Sequence, residues 1–362
     1  MAQFAIIRAR MAKKNIVHVV GTGTIGEPLI GLYTDFKEKW GIEEVTFHKR
    51  TPAANDHAMV EHLINRGASL VADEDARDEF ARLGHRVSYT TEEALERATV
   101  IVDCTPAGND NKHKYYDRIR GPKGFIAQGS EFGFGKPFAL GINDEVQSPD
   151  ERYVQVVSCN THNISVLLKT LGTSDGKMSL EAGRFVCMRR ANDVSDTKSF
   201  IAAPEAGKHD DPEFGTHHAR DAYHVFQTLG EKLDLFSSAI KLPTQYMHTL
   251  WFDLDVKHDT TLEEAKSALR NNPRIACTNK RAVNQIFSFG RDHGYYGRIL
   301  SQTVVPTSTV AVPNPNKIVG FCYTPQDGNS LLSSVAATLR FLDASRLDEN
   351  LEVLRPYIFR EI

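Results

Sequence analysis

The stretch Gly21-Thr22-Gly23-Thr24-Ile25-Gly26 restricts the amino-terminal fold more than any other. Asn15 to Val20 (NIVHVV) enters it as a buried strand, and Pro28 to Trp40 leaves it as a helix, with the proline tolerated in the first turn. In that setting a G-x-G-x-x-G allows a tight turn and a close approach of backbone to a pyrophosphate on the helix N-terminus. Gly21, Gly23 and Gly26 are therefore expected to cradle a dinucleotide. The second strand, Glu44 to Phe47, ends in His48-Lys49-Arg50-Thr51. A site selective for NAD would carry an acid there for the ribose 2′-hydroxyl. The cations Lys49 and Arg50 suit a 2′-phosphate instead, so NADP is expected to be accepted in preference to NAD. Further short strands, Val100 to Cys104 and Phe125 to Ala127, also end in glycine-bearing loops, where ligands sit in an open parallel sheet.

Arg152 to Leu168 (RYVQVVSCNTHNISVLL) reads as a strand followed by a helix that stops at Gly172. Ser158, Cys159, Asn160 and Thr161 fall at the turn, among residue types that favour turns and caps. A cysteine there faces the positive end of a helix dipole, which favours thiolate, the nucleophilic form. Beyond it the pattern changes. Arg184 to Arg190, Leu250 to Val256, Thr309 to Val312 and Ile318 to Tyr323 read as strands, several alternating apolar with polar residues. Arg220 to Leu229, Leu262 to Leu269 and the apolar Ser330 to Leu342 read as helices. The expected architecture is α/β: a Rossmann-type doubly wound domain over 15–157 and an α+β catalytic domain with a mostly antiparallel sheet over 158–329. The carboxy-terminal helix, about 330–362, is expected to rejoin the first domain.

Composition narrows the chemistry. A formal net charge of -3 gives no footprint for nucleic acid or an anionic membrane. No window is long and apolar enough for a membrane span, and the basic start has apolar runs too broken for a secretory signal. Met11 is an alternative start to Met1. The five cysteines are scattered, which argues against a disulfide framework or a zinc site and for a reducing compartment. A dinucleotide domain followed by a cysteine at a helix start suggests oxidation of an aldehyde through a thioester. The base would come from His162, His217, His218, His224 or His248. Arg189, Arg190 and the His217-His218 pair could hold a substrate phosphate.

From Ser158-Cys159-Asn160-Thr161 outward, the chain resembles the archaeal-type (type II) glyceraldehyde-3-phosphate dehydrogenases. The similarity also takes in Gly23 to Gly26, Lys49, Val102 to Pro106 (VDCTP), Gln128-Gly129-x-Glu131, Arg189-Arg190-Ala191-x-Asp193, His217-His218, Pro243-Thr244 and Met247-His248. The resemblance implies a cytoplasmic homotetramer using NADP and NAD. It would convert glyceraldehyde 3-phosphate and inorganic phosphate to 1,3-bisphosphoglycerate. By position it implies Cys159 as nucleophile and His248 as the histidine that activates it. Ser158, Asn160, His217 and His218 would contact the sugar phosphate, with Thr161 and Arg189 beside them. Thr24, Ile25, Gly108 and Arg190 would contact the cofactor, Gln326 the nicotinamide, and Lys49 the 2′-phosphate. The chain departs from the family pattern at His162-Asn163 after the cysteine motif, at Ser130, at Leu250, and at Thr324-Pro325-Gln326-Asp327. These departures are expected around the acyl pocket. They keep open a related semialdehyde dehydrogenase, or a reductase of another acyl phosphate or thioester.

Overall fold

The computed structural model describes residues 14–129, 131–148, 150–193, 200–325 and 327–362. Its first sheet runs, in spatial order, Tyr89–Thr90, Ser69–Ala72, Glu44–His48, Ile16–Val20, Val100–Asp103, Gly124–Gln128, Tyr153–Val156 and Lys136–Phe138. Every pairing in it is parallel. Its central strands are covered on both faces, so they read as unbroken apolar runs such as Val100-Ile101-Val102. Strand order reverses beside Ile16–Val20, which opens a crevice at the carboxyl ends of that strand and of Val100–Asp103.

The second sheet runs Glu205–Ala206, Leu235–Lys241, Leu180–Arg189, Thr249–Val256, Lys317–Tyr323, Thr303–Pro306 and Ile275–Thr278. Most neighbours are antiparallel, as the alternating patterns imply. Two pairs are parallel: Leu180–Arg189 with Leu235–Lys241, and Ile275–Thr278 with Thr303–Pro306. The strand expected at Thr309 begins later. Thr307–Thr309 form a short 3-10 turn, and Ala311–Asn314 then pair with Lys317–Tyr323.

The helix Gly328–Asp343 returns to the first sheet. Its Leu331, Leu332, Val335, Ala336 and Leu339 share one apolar cluster with Val17, Val19, Val102 and Ile126. Gly328 lets it begin where it does, since a Cβ there would lie 1.9 Å from the Ile299 carbonyl oxygen. Among the described residues no helix is long and apolar enough to cross a membrane.

Candidate active site

The helix Cys159–Leu171 starts directly after the strand Tyr153–Val156 and a two-residue turn. Ser158 caps it, its hydroxyl accepting the Thr161 N–H at 3.4 Å and pairing with the Thr161 hydroxyl at 2.9 Å. Two other helix starts lie against this one. The helix His217–Gln227 brings His218 Nδ1 to 3.5 Å from Ser158 Oγ, and its His218 carbonyl accepts the Thr161 hydroxyl at 3.5 Å. From the start of Gly328–Asp343, Asn329 Nδ2 donates to the Cys159 carbonyl at 2.9 Å. Three helix starts thus meet at the turn that carries Cys159.

The charges around the sulfur are paired. Arg190 directly follows the strand Leu180–Arg189, and its guanidinium meets Asp327 at 2.9 Å and Asp193 at 2.9 Å. Asp327 has left-handed backbone, φ 64°, at the N-cap of Gly328–Asp343, yet its side chain does not cap that helix. It turns instead to Arg190, and its charge acts on the nearby Cys159 thiol. Burial pushes the thiol well above the ordinary cysteine range, and the Asp327 charge adds to the rise, against the pull of Arg190. Together these effects favour the thiol over the thiolate. The helix field that suggested a thiolate is present but is opposed first by desolvation and then by the Asp327 charge, neither of which sequence spacing shows.

His248 sits one strand away. Its Nδ1 accepts the Arg190 backbone N–H at 3.2 Å. A backbone N–H can only donate, so the ring proton of neutral His248 is on Nε2. Burial, then the Arg190 charge, holds the ring at a pKa of about 3. His218 is buried, and its Nε2 has no hydrogen-bond partner among the described residues. His217 is held at about 4 by burial and by the charges of Arg189 and Arg220. These last two, with Lys208 and His217, line a cavity of about 440 Å³ that Asp210 and Asp211 also border.

Other candidates go elsewhere. His162 has both ring nitrogens engaged, Nδ1 with the Ser158 carbonyl at 3.0 Å and Nε2 with Ser333 Oγ at 2.8 Å. It ties the cysteine helix to Gly328–Asp343 and is not free to act as a base. His224 pairs with Gln227 Oε1 at 3.0 Å and stacks on Phe132.

The glycine loop has the geometry expected of it. Gly21 has φ +93°, Gly23 faces open space, and a Cβ on Gly26 would lie 2.1 Å from the Gly21 carbonyl oxygen. Turn, approach and packing are thus divided among the three glycines. Thr24 and Ile25 complete the loop before the helix Gly26–Phe36. Next to it a cavity of about 460 Å³ is lined by Gly21, His48, Lys49, Arg50, Thr105 and Lys114, among others. His18 also faces it, with Nε2 buried and unpartnered among the described residues. A dinucleotide fits this set of residues. Lys49 is already paired with Asp56 at 2.6 Å, and His48 lies 3.4 Å from Asp73. Gly108 starts the short helix Gly108–Lys114, close against Ala127 and Glu131.

Residues 158–321 match the family model described as "Glyceraldehyde 3-phosphate dehydrogenase, C-terminal domain". The chain is 30% identical to glyceraldehyde-3-phosphate dehydrogenase 2 of Methanosarcina barkeri over 292 residues, 78% of this chain and 80% of that one. It is 31% identical to the glyceraldehyde-3-phosphate dehydrogenase of Methanococcoides burtonii over 289 residues, 77% of this chain and 79% of that one. With that of Sulfolobus acidocaldarius it shares 24% identity over 350 residues, 93% and 95% of the two chains. The chain belongs to the glyceraldehyde-3-phosphate dehydrogenase family.

Within that family's plan, two departures prove to be structural. His162 is the interhelical tie, and Leu250 is fully buried in the apolar core of the second sheet. Asn163 Nδ2 holds the Thr324 hydroxyl at 2.6 Å, and that hydroxyl donates to Asn160 Oδ1 at 3.0 Å. The Thr324 to Asp327 departure therefore does border the cysteine, through Thr324 and Asp327. Gln326 and Ser130 lie outside the described residues. Sequence reasoning missed Asp327 and also Arg298, whose guanidinium donates to the Thr24 carbonyl at 3.1 Å and lies close enough to feel the Asp327 charge. An acid directly before a helix-starting glycine, in the motif where a family contact was sought, was the available signal for Asp327.

Proposed function

We propose that the protein is a phosphorylating glyceraldehyde-3-phosphate dehydrogenase, oxidising glyceraldehyde 3-phosphate to 1,3-bisphosphoglycerate with inorganic phosphate. The observation that carries the reading is Cys159 at the meeting of three helix starts, in a chain of this family. The Cys159 sulfur adds to the aldehyde carbon, and the oxygen of the resulting thiohemiacetal is met by His248 Nε2–H and by first-turn N–H groups. A bound nicotinamide dinucleotide supplies the hydride acceptor. The thioester left on Cys159 is attacked by a phosphate oxygen, the S–C bond breaks, and the acyl phosphate departs. Arg189, Lys208, His217 and Arg220 hold phosphate oxygens, with Ser158, Asn160, Thr161 and His218 beside the sulfur.

The reading extends to NADP as the preferred cofactor, supported by Lys49, Arg50 and Lys114 around the adenosine end of the crevice. It also extends to a cytoplasmic homotetramer, on the family resemblance. Light scattering on the purified chain tests the oligomer. Steady-state assays with glyceraldehyde 3-phosphate, with and without phosphate and with NADP or NAD, test the rest. Turnover should require phosphate and should vanish in Cys159→Ser, which still binds dinucleotide. Turnover in that variant, or without phosphate, would overturn the reading.

A further inference from the structure

Pro28 leaves one carbonyl of the glycine-loop helix without a partner inside that helix. The hydrogen-bond ladder has begun by Gly23: the Glu27 N–H donates to the Gly23 carbonyl at 3.1 Å, and the Leu29 N–H to the Ile25 carbonyl at 3.2 Å. The carbonyl between them, that of Thr24, would take its bond from residue 28, and a proline has no N–H to give. The donor comes from a distant turn. Arg298 Nη2 donates to the Thr24 carbonyl at 3.1 Å, across 274 positions of chain. Its Nη1 donates to the Tyr296 carbonyl, and its buried Nε has no partner among the described residues.

The turn that presents Arg298 is tightly specified. Tyr295 and Arg298 exchange backbone hydrogen bonds at 2.8 and 2.9 Å around Tyr296 and Gly297, which have φ 50° and 75°. Two consecutive positive φ values close a two-residue turn, which glycine adopts freely and tyrosine does not. Contacts with the helix Gly26–Phe36 hold it. A Cβ on Gly31 would lie 2.8 Å from the Tyr296 ring, so only glycine lets the tyrosine in. The Tyr295 hydroxyl donates to Asp35 at 2.7 Å, and Arg66 donates to the hydroxyls of Tyr295 at 3.1 Å and Tyr296 at 2.6 Å. Positions 24, 31 and 35 recur at helical spacing, so one stripe of the helix faces the turn.

We infer that Arg298 is a positioning residue for the dinucleotide: it replaces the N–H that Pro28 lacks and so fixes the glycine loop in the shape that receives a pyrophosphate. This rests on the dinucleotide-binding part of the reading above. The link is one peptide plane. The Thr24 carbonyl and the Ile25 N–H share it and point in opposite directions. Holding the carbonyl on Arg298 therefore aims the Ile25 N–H outward from the helix start, where a pyrophosphate binds.

The test titrates NADPH and NADH into the full chain, reading cofactor fluorescence, beside steady-state kinetics. Arg298→Met keeps the aliphatic stem and removes the donors. It should raise Kd about tenfold for both cofactors alike, whereas changes at Lys49 and Arg50 are expected to act on the 2′-phosphate form. In kinetics the loss should fall on KM for the dinucleotide more than on kcat. Pro28→Ala then decides the cause, because it returns an N–H to residue 28. In that background Arg298→Met should cost less than about threefold. A cost of about tenfold in both backgrounds would mean that Arg298 acts through its charge or through general stability, and overturns the assignment. Unchanged affinity in Arg298→Met with Pro28 in place overturns it as well. Arg298→Gln, too short to reach Thr24, gives the same comparison where the methionine variant does not fold. An unaltered chain that binds neither dinucleotide defeats the cofactor reading and this assignment together. A chain that binds dinucleotide but does not oxidise glyceraldehyde 3-phosphate defeats only the substrate reading, and the two-background comparison still decides the role of Arg298.

Discussion

His162→Leu separates a residue that supports the site from one that works in it. The imidazole makes two buried hydrogen bonds, to the Ser158 carbonyl at 3.0 Å and to Ser333 Oγ at 2.8 Å. Losing both costs about 1 kcal/mol each. Neither partner is left bare. The Ser158 carbonyl still accepts the backbone N–H of residue 162 at 3.0 Å, and Ser333 Oγ still accepts the Leu140 N–H at 3.1 Å. The loss therefore stays near about 2 kcal/mol, a fall of about 4 °C in Tm at about pH 8. Burial holds this histidine at a pKa of about 4, below its ordinary 6.5. The folded state thus favours the neutral ring, so its share of stability is complete above pH 6.5 and is lost as pH falls toward 4. By about pH 5 that loss amounts to about 2 kcal/mol, which the leucine variant does not suffer. The two melting curves should then converge near about pH 5, although the variant is less stable at about pH 8. Thermal melts at several pH values measure this, and kcat/KM of the folded variant should stay within about threefold. A drop of about 100-fold in kcat/KM with unchanged Tm would put His162 in the reaction and refute the reasoning.

Three further outcomes are expected. Gly26→Ala places a methyl group 2.1 Å from the Gly21 carbonyl oxygen, so the loop must move; KM for the dinucleotide should rise at least about tenfold while Cys159 alkylation is unchanged. Lys49→Glu with Arg50→Glu should raise KM for NADP about tenfold or more and leave KM for NAD within about threefold; equal changes would remove the 2′-phosphate assignment. Asp56→Asn frees Lys49 from its ion pair and should lower KM for NADP by about two- to fivefold, read by the same assay.

How much of this was legible in the sequence depended on how local the signal was. The glycine loop carries its whole meaning in six residues, so strand, turn, helix and ligand class followed from it. The cysteine turn was equally local, as was the apolar Ser330 to Leu342 helix. Several strands were missed because their pattern is weak or their pairing is remote. Leu235–Lys241 (LFSSAIK) alternates imperfectly, and its parallel partner Leu180–Arg189 lies some fifty residues earlier. The histidines were the least legible group. His162 was a candidate base because it follows the cysteine closely. Three residues on along a helix it points to a different neighbour, and only the packing of Gly328–Asp343 reveals Ser333 at its Nε2.

The ionisation state of the sulfur shows why local reading stops where it does. From the turn alone, a helix N-terminus argues for thiolate, and that argument is sound for an isolated helix. Desolvation in the folded site opposes it, and so does the charge of Asp327, 168 positions away in the chain. A helix dipole stabilises an adjacent charge by about 1 kcal/mol, whereas desolvation and a nearby carboxylate can act on a sulfur with several times that strength. Burial and carboxylate together therefore favour the thiol. In the proposed reaction the helix field acts instead on the charge that appears later, on the oxygen of the adduct.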